Sequence, residues 1–335
     1  MKVLHIVAGE LSGGAARGAY WLHCGLKELG VDSKVFTNSK ITLGDDSVVT
    51  TMQSKKDKAF NMLRSQLDNL LLVLYPKRKR IIFSTGICGV DFTKTKEYEQ
   101  ADVIHLHWIN GGFVNIKHLS RLNKPIVWTM RDMWPMTGGC HYSMACEKFK
   151  SGCGSCEQLK SSGYDLSRFI LNRKKKHLPK EMKLVGISHW LSDKAKESEL
   201  FRDFDVQTIS NNINTNEFFP VDKKIARDIL GVKTTKNIVL VGSTSLKDLY
   251  KGFSKFQEAV KELDKEKYFL CFFGNVDTSV AEELGFEYKS FGYLNDNISL
   301  RLAYSSAAVF VAPSIMDAFG KTLAEAMACG TPVVC

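Results

Sequence analysis

Two carboxylates, Asp317 and Glu325, flank the glycine of "MDAFGKTLAEAMACG". A glycine ahead of an Ala/Leu/Met-rich run marks a helix start, so Asp317 belongs to the preceding loop and Glu325 to the helix itself. Carboxylates beside a helix N-terminus suit sugar hydroxyls. The free N–H groups of Phe319, Gly320 and Lys321 suit phosphate oxygens. Together they form a device for a sugar joined to a diphosphate. Either carboxylate alone is explained as well by compensation of the positive end of the helix dipole.

A second glycine-bearing turn opens the chain. In "VAGELSGGAARGAYWL" an apolar run meets Gly9, Gly13 and Gly14 ahead of a helical pattern. Such glycines let backbone amides approach an anion. The spacing is not G-x-G-x-x-G and carries no phosphate-loop lysine, so a ligand-free tight turn is the competing reading.

The densest cluster is "GGCHYSMACEKFKSGCGSC", which places Cys140, Cys146, Cys153 and Cys156 at C-x5-C-x6-C-x2-C spacing. Four thiols so close suit an all-cysteine zinc site that pins a long loop. A catalytic zinc is disfavoured, because thiolates would fill all four positions. An iron–sulfur cluster and free or paired thiols stay open, since the spacing is neither that of common zinc ribbons nor that of ferredoxins. The nine cysteines follow no secretory leader, which points to reduced thiols in a cytoplasm.

The charge is lopsided. Residues 1–190 hold 29 Lys and Arg against 16 Asp and Glu, a net of +13, and the remainder carries −3. Much of the excess lies in "KRKR" (77–80), after the apolar "LDNLLLVLY", and in "NRKKKH" (172–177). An apolar stretch beside a basic run suits an anionic membrane surface. A solvated turn after a buried helix is the plainer alternative. Nucleic acid is not expected, because neither run carries an interleaved aromatic platform. The longest uncharged apolar run is far too short to span a bilayer.

Elements that position these residues alternate along the chain. "KVLHIVA", "SKVFTN", "ADVIHLHW", "PIVWTM" and "KLVGIS" read as strands of a buried parallel sheet, with a helix from Ala15 to Leu29. The second half reads "NIVLVGS", "YFLCFFG", "SFGYL", "AVFVAP" and "TPVVC" as strands, with helices at "VAEELG" and "ISLRLAYS" and one from Gly320. The fold class is therefore α/β: two Rossmann-like, doubly wound parallel-sheet domains, residues 1–210 and 211–335, joined near "SNNINTNEFFP". Their ligand is expected in a cleft where the two domains face one another.

"PSIMDAFGKTLAEAMACGTPVV" closely resembles the E-x7-E region of the family 4 retaining glycosyltransferases, whose fold is GT-B. "HIVAGELSGGAARGA", "ADVIHLHWING", "WTMRDMWPMTGGCHY" and "YKGF" extend the resemblance over nearly the whole chain. It implies that Asp317, in place of the usual Glu, contacts donor-sugar hydroxyls and that Glu325 holds the ribose. Lys251 would lie against the donor diphosphate, so that no catalytic metal is needed. Relatives read T-x-H-D where this chain has Thr129-Met130-Arg131-Asp132; Arg131 is no base and would bind an anionic acceptor or a donor phosphate. Asp132 and His141, with His107, are further catalytic candidates. The resemblance implies a cytoplasmic enzyme, peripheral on the inner membrane face. It would move a sugar from a nucleoside-diphosphate sugar to a glycan or polyprenyl-linked acceptor in surface polysaccharide synthesis. Rivals are a non-catalytic sugar-nucleotide-binding scaffold and a GT-B epimerase. Relatives continue past the last strand, so a C-terminally truncated second domain is expected.

Overall fold

The computed structural model describes residues 1–11, 14–39, 44–245, 248–275, 282–283, 285–294 and 296–335. The chain divides into two units, Met1–Asn211 and Asn212–Cys335.

The first unit is built on seven strands: β1 (Lys2–Ile6), β2 (Asp32–Thr37), β3 (Val48–Thr50), β4 (Val103–Leu106), β5 (Ile126–Met130), β6 (Lys183–Gly186) and β7 (Val206–Thr208). Their order is β3-β2-β1-β4-β5-β6-β7, and every pairing is parallel. Leu4, Ile6, Ile104, Leu106, Trp128 and Leu184 are buried, as continuous apolar strands with both faces covered require. The order reverses between β1 and β4, and in open parallel sheets ligands bind beyond the strand ends at such a reversal.

The second unit repeats the scheme with β8 (Asn237–Ser245), β9 (Tyr268–Asn275), β10 (Tyr288–Ser290), β11 (Val309–Val311) and β12 (Val333–Val334). The order is β10-β9-β8-β11-β12, again wholly parallel, with the reversal between β8 and β11. Val239, Val241, Leu270 and Phe272 form one core face against Phe256 and Val260 of the helix Phe253–Val260.

Several expectations shift. The strand expected at "SFGYL" lies earlier, at Tyr288–Ser290, where it pairs with Leu270–Phe272. The outer strands β3 and β7 are too short to show a pattern. Half of the helix expected at 280–285, residues 280, 281 and 284, lies outside the described residues.

The helix before the basic run is not buried. It spans Lys55–Asn69, opens with a Ser54–Asp57 capping box, and leaves Phe60, Met62, Leu63 and Leu67 exposed. A 3-10 turn, Leu70–Leu74, continues it. Its inward anchor is Asp68, 1% exposed, whose carboxylate accepts the N–H groups of Gly86, Ile87 and Cys88 and the Thr85 hydroxyl. Gly112 lies so close beneath that a Cβ there would sit 2.7 Å from the backbone of Arg64 and Ser65. Among the described residues no helix is long and apolar enough to cross a membrane.

Candidate functional site

Lys251 and Asp317 meet at the reversal point of the second sheet. Lys251 closes a 3-10 turn, Leu249–Lys251, and Gly252 then turns left-handed at φ 64°. A Cβ on Gly252 would lie 1.9 Å from the Pro313 carbonyl, so only glycine lets this turn press on the segment leaving β11. The close approach brings Lys251 Nζ to 2.7 Å from Asp317 Oδ2.

Three residues on, Gly320 (φ 74°) starts the helix Lys321–Ala328. Asp317 Oδ1 accepts the N–H groups of Phe319 at 3.3 Å and Gly320 at 3.1 Å. Those two amides, expected to be open to phosphate, are thus held by the chain's own carboxylate, as aspartates ahead of helices commonly do. Burial pushes the Asp317 carboxyl upward, but the Lys251 ammonium and the two amides outweigh it and hold the group below the usual carboxylate range.

Glu325 faces inward. It is 3% exposed, and its Oε2 accepts the hydroxyl of Tyr304 at 3.0 Å. Lys321 Nζ stands 4.0 Å from its other oxygen. Tyr304, on the helix Asn297–Ser306, is wholly buried and was not singled out by the sequence. Near the end of β8 the buried Ser243 hydroxyl has no hydrogen-bond partner among the described residues.

In the first unit Gly14 begins the helix Gly14–Glu28, while Gly13 lies outside the described residues. This helix packs over Arg131: a Cβ on Gly18 would sit 2.6 Å from Arg131 Nη1. The guanidinium donates to Asn211 Oδ1 at 2.5 Å and lies 3.3 Å from His107 Nδ1. Burial lowers its pKa to about 10, so it keeps its charge at neutral pH. Arg131 is thus an interior cation under the helix, 8% exposed, and not the open anion receptor expected from its type.

Beneath Arg131 a layer of imidazoles crosses from β1 to β4. His5 Nδ1 and His107 Nε2 are 2.9 Å apart, and His105 Nε2 lies 2.8 Å from the Thr129 hydroxyl. Burial, then the neighbouring cations, push all three pKa values down, that of His105 to about 3. One ring nitrogen from each lies within 4.8 Å of the others, but the adjacent guanidinium opposes a metal ion there. At 1% exposure and hydrogen-bonded to His5, His107 belongs to this structural layer and not to a reacting centre.

Asp132 and His141 do come together. Asp132 Oδ2 lies 2.6 Å from His141 Nδ1 and accepts the Trp108 indole N–H at 2.9 Å. The other face of the imidazole, Nε2, is 2.9 Å from the Ser84 hydroxyl. An Nδ1–H donated to the carboxylate leaves Nε2 to accept from Ser84, a carboxylate–imidazole–hydroxyl chain able to hold a proton at a defined atom. Ser84 carried no motif signal; the bridge Phe83↔Cys140 and the Ser84 N–H bond to the Gly139 carbonyl bring it to this place.

Cys140, Cys146, Cys153 and Cys156 all line one cavity beneath Phe83 and Phe149. None is in a disulfide, and no three of these sulfurs lie within 4.8 Å of one another. The compact four-thiolate cage expected from the spacing is therefore not preassembled.

The second unit's sequence matches the family described as Glycosyl transferases group 1 over residues 222–335. The group 1 segment thus contains Lys251, Asp317 and Glu325. A protein of Escherichia coli (strain K12) named WcaC, a glycosyl transferase assigned to colanic acid biosynthesis, is 25% identical over 249 residues. That alignment covers 69% of this chain and 59% of WcaC. The glycogen synthase of Clostridioides difficile (strain 630) is 26% identical over 161 residues, 45% of this chain and 32% of that protein. The chain therefore spans less than two thirds of the length of either relative. Among solved structures, a sucrose-phosphate synthase from Thermosynechococcus elongatus superposes with a TM-score of 0.66 at 17% identity. The superposition covers 99% of this chain and 80% of that one. Anabaena HepE in complex with UDP and glucose gives 0.60 at 16% identity, with the same 99% and 80% coverage. These likenesses assign the two parallel-sheet units with their group 1 segment to the GT-B glycosyltransferase fold.

Proposed function

We propose that this chain is a retaining glycosyltransferase that takes a sugar from a nucleoside diphosphate and passes it to a glycan or polyprenyl-linked acceptor of a bacterial surface polysaccharide. The observation that carries the proposal is the Lys251–Asp317 pair, set at the β8/β11 reversal inside the group 1 segment. The name of the WcaC relative and the UDP and glucose in the HepE structure support it.

In this reading the Lys251 ammonium faces the diphosphate and neutralises charge as the sugar–phosphate bond breaks, which a divalent ion does in other transferases. Asp317 receives sugar hydroxyls, and Glu325 receives the ribose at the other end of the first helical turns. The acceptor hydroxyl attacks the anomeric carbon from the side that the phosphate leaves. Its proton passes to the departing phosphate oxygen, so no separate protein base is required. Asp132 and His141 shape the acceptor side of the first unit.

A panel of UDP-, GDP- and ADP-sugars with and without lipid-linked oligosaccharide tests the proposal. One donor should be consumed, and only with acceptor present. Binding without turnover across the panel would favour a non-catalytic nucleotide-sugar protein; turnover without acceptor would favour an epimerase.

The exposed side chains Phe60, Met62, Leu63, Leu70, Val73 and Leu74, next to Lys77–Arg80, form the surface we assign to an anionic membrane face, where the protein would be peripheral. Cosedimentation with phosphatidylglycerol vesicles should occur at low salt and be lost when residues 77–80 are changed to glutamate. Equal binding to neutral vesicles would overturn the assignment.

A further inference from the structure

We propose that Cys140, Cys146, Cys153 and Cys156 bind one structural zinc ion, which draws the four thiols together and clamps the loop that carries His141. The loop from residue 137 to residue 163 contains no regular element beyond the 3-10 turn Lys148–Lys150. It is nevertheless deeply packed, with Phe149, Cys156 and Leu159 buried. Such segments ordinarily need a staple, because they have few backbone ladder bonds with which to offset their ordering.

Backbone strain concentrates here too. Among the described residues, every non-glycine with a left-handed φ lies in this loop: Met144 (54°), Cys153 (53°), Ser155 (44°) and Lys160 (55°). L-residues avoid this region unless the surroundings impose it. Gly152 and Gly154 take φ of 114° and 94° between them, and a Cβ on Gly152 would strike the Arg168 guanidinium at 2.0 Å. The chain is being bent to point its sulfurs inward.

Burial pushes the thiols of Cys140, Cys153 and Cys156 up, and backbone amides at two of the sulfurs counter part of that. The Gly138 N–H donates to Cys153 Sγ, and the N–H groups of Gln158 and Leu159 donate to Cys156 Sγ. Amides two and three residues beyond a cysteine that converge on its sulfur stabilise negative charge on it and orient it as a ligand. On the far side, Asp165 accepts the Cys156 N–H at 2.8 Å and also caps the helix Leu166–His177, which fixes the C-x-x-C turn to a rigid element. Lys174 of that helix is fully buried and donates to the Thr137 carbonyl at 2.9 Å.

Tetrahedral zinc–thiolate bonds place sulfurs about 3.8 Å apart. No three of the four sulfurs lie within 4.8 Å of one another around their shared cavity, so metal binding must draw them together. Each thiol gives its proton to solvent as its Zn–S bond forms, and zinc keeps its oxidation state. An iron–sulfur cluster is the poorer fit, since its larger core suits the ferredoxin spacings that this loop lacks.

Metal analysis of the purified full chain, expressed with zinc supplied, tests the proposal. About one zinc per chain is expected, lost in Cys153→Ser and Cys156→Ser and kept in Cys24→Ser, whose thiol lies on another helix. Should the serine variants fold poorly, the unmodified chain loaded with Co2+ supplies the second readout, a sulfur-to-cobalt charge-transfer band. Less than roughly half an equivalent of zinc, or a mass showing disulfides among these four residues, overturns it. Either result leaves the reading of the donor site untouched.

Discussion

Gly18 has no side chain where Arg131 needs the space: a Cβ on Gly18 would lie 2.6 Å from Arg131 Nη1. The first helix and the end of β5 are fitted to each other at this one point. Gly18→Ala should therefore push the guanidinium off Asn211 and His107, with a loss of about 1–3 kcal/mol from overpacking and a broken buried hydrogen bond. Urea unfolding measures this. Gly25→Ala on the same helix, where nothing lies within 4 Å of the added carbon, should be neutral or slightly stabilising. Equal effects at the two sites would disprove the fit.

Lys251→Ala should lower kcat/KM for the sugar donor by roughly 10²–10³-fold, as expected when a cation facing a leaving diphosphate is removed. Stability should change by less than about 1 kcal/mol, because the Lys251–Asp317 pair is partly open to solvent and screened. Steady-state kinetics beside thermal melts separate the two effects. A stability loss with unchanged kinetics would mean that the pair is only a structural clasp.

Tyr304 and Glu325 separate ligand binding from packing. Glu325→Ala removes the acceptor of the buried Tyr304 hydroxyl, which costs about 1–3 kcal/mol, and should also weaken nucleotide affinity. Tyr304→Phe should cost comparable stability with far less effect on the nucleotide. Calorimetric titration with UDP and with GDP decides; unchanged affinity in Glu325→Ala would remove this residue from the site.

Acid should destabilise the first unit early. Burial, reinforced by neighbouring cations, keeps His5, His105 and His107 neutral when folded. Once unfolded they take up protons near pH 6.5. Stability is therefore complete above about pH 6.5 and falls as pH drops toward the folded values, about 3 for His105. At pH 5 keeping His105 neutral should cost about 2 kcal/mol relative to pH 7.5, and His5 and His107 act in the same direction. A denaturation midpoint that stays flat between those pH values would refute the point, and His105→Gln should flatten it in part.

The sheets were legible because parallel strands with both faces covered write themselves as apolar runs, and "KVLHI" and "NIVLVGS" became β1 and the start of β8. The outer strands β3 and β7 have three residues each, too few for any period to show. Asp317 and Glu325 were readable because a loop-to-helix glycine with flanking charges is a local pattern, whereas Lys251 was pointed to only by the resemblance. Their partners were not. Tyr304 reaches Glu325 across 21 residues and Ser84 reaches His141 across 57, distances that only the fold closes. Arg131 misled for a related reason: an arginine suggests a surface anion site until the helix that covers it is in view.

Asp68 gives the outer helix a property that its exposed side chains hide. Its carboxylate takes three amides and a hydroxyl from residues 85–88, and Ser84, the next residue back, touches His141. The C-terminal turn of the Lys55–Asn69 helix cannot fray by itself, since releasing Asp68 takes the acceptor from four buried or half-buried donors at once. In native-state hydrogen exchange, the amides of Gly86, Ile87 and Cys88 should therefore open together with that turn as one cooperative unit, while the solvent-facing first turns near Ser54 exchange on their own.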